Sequence, residues 1–131
     1  MINKKIINPS RVRHIEGGFS FIPHRFLTDG FICFLNSKEL LLYFFLVLVS
    51  DRYGLSYYSY DAICSCLGFC VEDYMHARDG LMDKDLIAFD GTLFQVLSLP
   101  EEPVSAPVQE EGRSRIAALV RQSLWRAYDG R

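Results

Sequence analysis

No stretch of this chain is apolar for long enough to cross a bilayer. Its longest apolar run, LLLYFFLVLV at residues 40–49, has ten residues, whereas a membrane helix needs roughly 20. No apolar h-region follows Lys4 and Lys5, so no secretory signal is visible. A cytoplasmic location is therefore expected, with the four cysteines, Cys33, Cys64, Cys66 and Cys70, as thiols. A phosphate-cradling glycine loop is missing too, since Gly17-Gly18 alone signifies only flexibility. No internal repeat is found. Nothing beside the cysteines and histidines supplies an oxyanion site or a third orienting group, so no catalysis and no cofactor are expected.

What is present is enough for one domain with tails. The chain has 131 residues, half of them hydrophobic and 14% aromatic. The net charge of −2 hides a split along the sequence. Residues 1–18 carry Lys4, Lys5, Arg11 and Arg13 against Glu16, a net of +3. Residues 19–99 hold five basic and ten acidic side chains, a net of −5. Residues 113–131 carry five arginines against Asp129, a net of +4. An acidic body with two basic ends would meet a polyanion mainly through its ends.

The apolar run at 40–49 predicts a central helix covered on every side. Asn36 is its expected cap and Glu39 the reciprocal capping-box partner, with Leu35 and Leu40 as the flanking staple. The alternative, a buried parallel strand, rests on the β-branched Val47 and Val49; the capping signals favour the helix. Before it, Phe19 to Ile22 reads as extended ahead of Pro23. Phe26, Leu27, Phe31 and Leu35 form the inner face of a short leading helix broken near Gly30.

After a turn at residues 51–54, Ser59 caps a second helix that stops at Gly68. A third helix spans about residues 71–84, with Tyr74, Ala77 and Leu81 as its core stripe. Gly80 lies inside that helix, at a cost of about 1 kcal/mol relative to Ala. Two strands, at 86–89 and 92–97, flank Asp90-Gly91, a strong hairpin signal.

Several clusters carry both a chemical and a plain reading. Cys64, Cys66 and Cys70, with His76, suggest a metal set. However, Cys64 and Cys66 would lie about 200° apart around a helix axis, so no metal is expected and buried, inert thiols are. Tyr53, Tyr57, Tyr58 and Tyr60 serve either to stack on bases or a partner, or to pack in the core with their hydroxyls outward. Asp79, Asp83 and Asp85 form a solvated face or a docking surface for a basic partner. His24 and Arg25 are either phosphate contacts or functionless surface residues.

Three helices and a hairpin in this order resemble the winged helix-turn-helix family over about residues 20–99. The residues that carry the resemblance are LLLYFFLVLVSDRYG in the first helix, SYDAICSCLG at 59–68, and the segment 77–87 with Ala77, Arg78, Leu81, Leu86 and Ile87. The chain looks most like small helix-turn-helix proteins encoded beside transposase genes in bacterial insertion elements. More loosely, it is similar to the winged helices of plasmid replication initiators. The resemblance implies a mainly α fold with a small β-hairpin, an α+β class, whose third helix enters the major groove while the wing touches the backbone. This chain departs from that pattern in its third helix, where Glu72, Asp73, Asp79 and Asp83 outnumber His76, Arg78 and Lys84. Its wing also lacks Lys and Arg.

The expected organisation is thus a flexible basic arm at 1–18, the domain at 19–99, a Pro- and Glu-rich linker at 100–112 and a basic amphipathic helix at 113–131. In that last segment Ile116, Val120, Leu124 and Tyr128 recur every four residues. The expected function is non-enzymatic DNA binding, or assistance to nucleoprotein assembly, in a bacterial mobile element. Double-stranded DNA is the expected partner, with a transposase or a second copy of the chain beside it, and no membrane. Contacts to DNA are expected from Lys4, Lys5, Arg11 and Arg13, from His76, Arg78 and Lys84, and from Arg113, Arg115 and Arg121. Protein contacts are expected from Ile116, Val120, Leu124 and Tyr128. The competing expectation is a protein-interaction module that uses the acidic third helix and the C-terminal helix.

Overall fold

The computed structural model describes residues 4–104. The expected C-terminal helix, with Arg113, Arg115, Ile116, Val120, Arg121, Leu124 and Tyr128, and most of the linker before it lie outside the described residues.

The chain forms α1 (Arg25–Thr28), α2 (Ser37–Val49), β1 (Leu55–Ser56), α3 (Tyr60–Leu67), α4 (Val71–Asp83), β2 (Ile87–Phe89) and β3 (Phe94–Val96). Short 3-10 turns occur at Pro9–Arg11 and Phe31–Phe34. It is a mixed helical domain with one small antiparallel sheet, ordered β1-β3-β2. The leading helix is broken where expected: Gly30 takes φ +86° between α1 and the turn that follows.

The local signals account for most boundaries. Asn36 Oδ1 accepts from the Glu39 N–H at 2.9 Å, and Glu39 Oε1 accepts from the Asn36 N–H at 3.0 Å, so the capping box of α2 is closed. Ser59 Oγ accepts from Ala62 N–H at the start of α3, and Gly68 ends that helix at φ +70°. Asp85 is the one non-glycine among the described residues with a left-handed backbone, at φ +61°.

One side of α2, carrying Leu42, Tyr43, Leu46 and Val47, faces the core with Ile63, Tyr74, Leu81, Leu86 and Phe94. Leu42, Leu46, Ile63, Leu81, Leu86 and Phe94 are fully buried, each stabilising the fold by about 1.5–3 kcal/mol. The expectation that α2 is covered on every side does not hold and is corrected by its outer face. Leu41, Phe44 and Leu48 are 46%, 52% and 56% exposed. An uninterrupted apolar run carries no polar residues to mark which face turns outward.

Two further corrections concern the sheet. It has three strands, because β1 pairs with β3 through Leu55–Gln95 and Ser56–Phe94. Gly54 makes that pairing possible: its carbonyl accepts from Val96 N–H at 2.8 Å, and a Cβ there would strike the Val96 carbonyl. The hairpin turn is centred one residue later than Asp90-Gly91. Asp90 N–H donates to Leu93 O at 3.2 Å, and Asp90 Oδ1 accepts from Thr92 and Leu93 N–H at 2.8 and 2.7 Å. Gly91 takes the positive φ of +100°, whereas Asp90 does not. Asp90 thus closes the turn with its side chain.

Candidate nucleic-acid interface

The N-terminal arm presents Lys4, Lys5, Arg11 and Arg13, all exposed, on a strand of backbone with almost no burial of its own. Within it Asn8 Oδ1 accepts from Ser10 N–H at 3.2 Å and Ser10 Oγ at 2.7 Å, and His14 Nε2 lies 3.1 Å from Glu16 Oε1. The Asn8 bond to Ser10 caps the turn at Pro9–Arg11. These four cations are close in sequence and exposed, an arrangement with the charge to meet phosphate but no built site to read bases.

On α4 the expected cations separate. His76 is exposed. Arg78 bonds Asp79 Oδ1 through Nε and Nη2 at 3.2 and 3.1 Å. Its guanidinium also lies over the rings of Tyr74 and Phe89, at 5.5 and 5.3 Å. Burial pulls its pKa down, but Asp79 and Tyr74 outweigh that and the net shift is upward. The same burial pushes the Tyr74 hydroxyl up.

Lys84 reaches back to α2, where its Nζ lies 2.6 Å from Glu39 Oε1. Glu39 is only 4% exposed. Gly80 is what admits it, since a Cβ there would overlap Glu39 Oε2. The glycine inside α4 thus makes room for a buried carboxylate, a reason that spacing alone does not reveal. Arg78 and Lys84 are therefore engaged within the domain.

The outward side of α4 is left to Glu72, Met75, His76, Asp79, Met82 and Asp83. Asp73 is tied down: hydrogen bonds from Cys70 and Lys38 hold its carboxyl below the usual range, with Lys38 Nζ at 3.1 Å. At the hairpin, the Leu93 and Thr92 amides hold Asp90 below its usual range. The hairpin thus carries a carboxylate kept ionised and no cation.

The remaining clusters also find their places. Tyr53, Tyr57, Tyr58 and Tyr60 are all exposed, so core packing does not hold for them. Arg52 covers the Tyr53 ring at 5.0 Å, and Tyr58 stands edge-on to Phe45 at 5.5 Å. The cysteines are not buried as expected: Cys66 and Cys70 are exposed, and Cys33 and Cys64 are partly so. Burial, then the charge of Asp61, pushes the Cys64 thiol up, away from the thiolate a nucleophile needs. Among the described residues no three metal-ligating side chains gather. Arg25 bonds Asp29 at 2.8 Å and the Pro100 carbonyl at 2.7 Å, so it fastens the end of the domain to α1. No helix among the described residues is long and apolar enough to cross a membrane.

Compared with protein-family models, with curated proteins and with solved structures, the chain gives no match.

Proposed function

We propose that this chain is a non-enzymatic nucleoprotein-assembly module on a winged helix-turn-helix framework, gripping duplex DNA through its basic arm and presenting α4 to a protein. The observation that carries this reading is the element order. Helix α2 is followed by β1, by α3 and α4 joined across Gly68, Phe69 and Cys70, and by the β2–β3 hairpin added to β1. That succession is the one in which a helix and a wing meet DNA in the helix-turn-helix proteins the sequence resembles. The mobile-element setting rests on the same resemblance.

Charge decides how such a framework would be used here. Exposed Glu72, Asp79 and Asp83 would lie against phosphates if α4 entered a groove, and Arg78 and Lys84 are already committed elsewhere. The arm carries four exposed cations and one carboxylate, Glu16. DNA affinity therefore comes from the arm, with the arginines of 113–131 as a second basic set.

A second reading, a pure protein-interaction module with a basic partner on α4, is favoured by the same internal pairing of Arg78 and Lys84. The test is binding to random-sequence duplex DNA by Glu72→Gln, Asp79→Asn and Asp83→Asn combined. The first reading expects tighter, salt-sensitive, sequence-independent binding than wild type. Undetectable DNA binding by both proteins at low salt overturns it in favour of the second.

A further inference from the structure

The outward face of α2 is explained neither by DNA binding nor by the acidic face of α4. Leu41, Phe44 and Leu48 follow one another at i, i+3 and i+7, directly opposite the buried Leu42, Tyr43, Leu46 and Val47. The patch continues past the end of the helix. Ser20 Oγ donates to the Leu48 carbonyl at 3.3 Å, which holds Phe19 and Phe21 beside Leu48, 69% and 74% exposed. Phe19, Phe21 and Leu48 share one concavity of about 990 Å³, which Arg25, Asp51 and Arg52 also line.

We infer that this face is a self-association surface, on which α2 of a second copy of the chain packs antiparallel to the first. The inference does not depend on the chain binding DNA. Three observations choose the occupant. The helical part of the face, residues 40–50, contains no charged side chain, so Leu41, Phe44 and Leu48 offer nothing to a polyanion or a basic peptide. Helix α4 packs through Tyr74, Ala77 and Leu81 with the buried side of α2, so its acidic face is not part of this surface. The spacing is also self-complementary: a two-fold axis beside Phe44 sets Leu41 of each copy against Leu48 of the other.

Size agrees with this. Five side chains half to three-quarters exposed leave on the order of 500 Å² of apolar surface, at the upper end for one patch on a monomer. Two such patches bury roughly 1,000 Å² together, which reaches the lower bound of a specific interface. The pairing is therefore weak and depends on concentration.

The test is sedimentation equilibrium of the full chain from micromolar to submillimolar concentration. A monomer–dimer equilibrium is expected. Phe44→Asp should weaken it by more than about tenfold while leaving the circular dichroism and melting temperature unchanged. Leu41→Lys repeats the test should Phe44→Asp fail to fold. Independently, Phe44→Cys in a Cys66→Ser, Cys70→Ser background should form a disulfide-linked dimer on mild oxidation, and Thr92→Cys in the same background should not. A chain that stays monomeric throughout overturns the proposal, as does a dimer that survives both substitutions. A full chain that is monomeric but dimerises when ended at Val104 would also overturn it, because residues 105–131 would then be the occupant.

Discussion

Glu39 and Lys84 stand 45 residues apart in the sequence and meet at 2.6 Å between α2 and α4. Glu39 serves both ends of the contact: its Oε1 also accepts from the Asn36 N–H that opens α2. One side chain therefore caps the central helix and fastens the C-terminal end of α4 to it. Gly80 belongs to the same unit.

That unit gives the first prediction. On an ordinary helix surface Gly→Ala stabilises by up to about 1 kcal/mol. Gly80→Ala should instead destabilise by about 1–3 kcal/mol, because the new methyl overlaps the Glu39 carboxylate. Glu39→Ala should cost about 3 kcal/mol, since it removes a cap bond and strands Lys84. The double variant should lose less than the sum of the two. Urea denaturation of all four proteins checks this, and additive losses would mean the two sites are independent.

Arg78 gives the second. Its guanidinium lies over two rings and bonds Asp79. Arg78→Ala should lower stability by about 1–2 kcal/mol by removing the cation–π attraction and the packing of the side-chain stem, while DNA affinity of the folded protein stays unchanged. A drop in affinity at unchanged stability would make Arg78 a DNA-binding residue.

Much of this architecture was legible in the sequence, and the failures share a cause. The Asn36–Glu39 box, the Ser59 cap, the Gly68 stop and the core stripe of Tyr74, Ala77 and Leu81 are all local signals, and all are present. The order of the helices and hairpin followed from them. What was missed depends on residues far apart in the chain. Strand β1 is two residues long and exists only because Gly54 can approach Val96. The reason for Gly80 lies on α2. The outward face of α2 is hidden because Leu41, Phe44 and Leu48 look no different from the buried Leu42 and Leu46 beside them. For the candidate interface, the acidic cast of α4 was plain from composition, but the internal pairing of Arg78 and Lys84 was not.

The hairpin turn yields a pH prediction. Backbone amides hold the Asp90 carboxyl below its usual range. A depressed folded-state pKa means that its contribution is present above the unfolded value, about 3.9, and is lost as pH falls through the folded one. Asp73 acts in the same direction. Thermal melts of wild type and Asp90→Asn should therefore converge as the solution is acidified from pH of about 5 to about 2. A difference that stays constant would show that the ionised form is not what closes the turn. Asp90→Ala, which has no acceptor, should melt lower than Asp90→Asn at neutral pH.

Ser56 carries the one buried side-chain polar atom among the described residues without a hydrogen-bond partner. Its hydroxyl is desolvated in β1 with nothing in return. Ser56→Ala should be neutral or stabilising by up to about 1 kcal/mol. A loss of more than that in urea denaturation would reveal a partner for the hydroxyl.

The most direct measurement is the salt dependence of binding to random-sequence duplex DNA, comparing the full chain with a variant in which Lys4, Lys5, Arg11 and Arg13 are all alanine. If the arm grips the backbone, wild type binds at low salt and weakens steeply as salt rises. The variant should bind less tightly, with a log–log slope shallower by up to about 0.9 for each phosphate the arm no longer neutralises. Identical affinities and slopes for the two proteins would contradict it, because the arm would then contribute nothing to holding DNA.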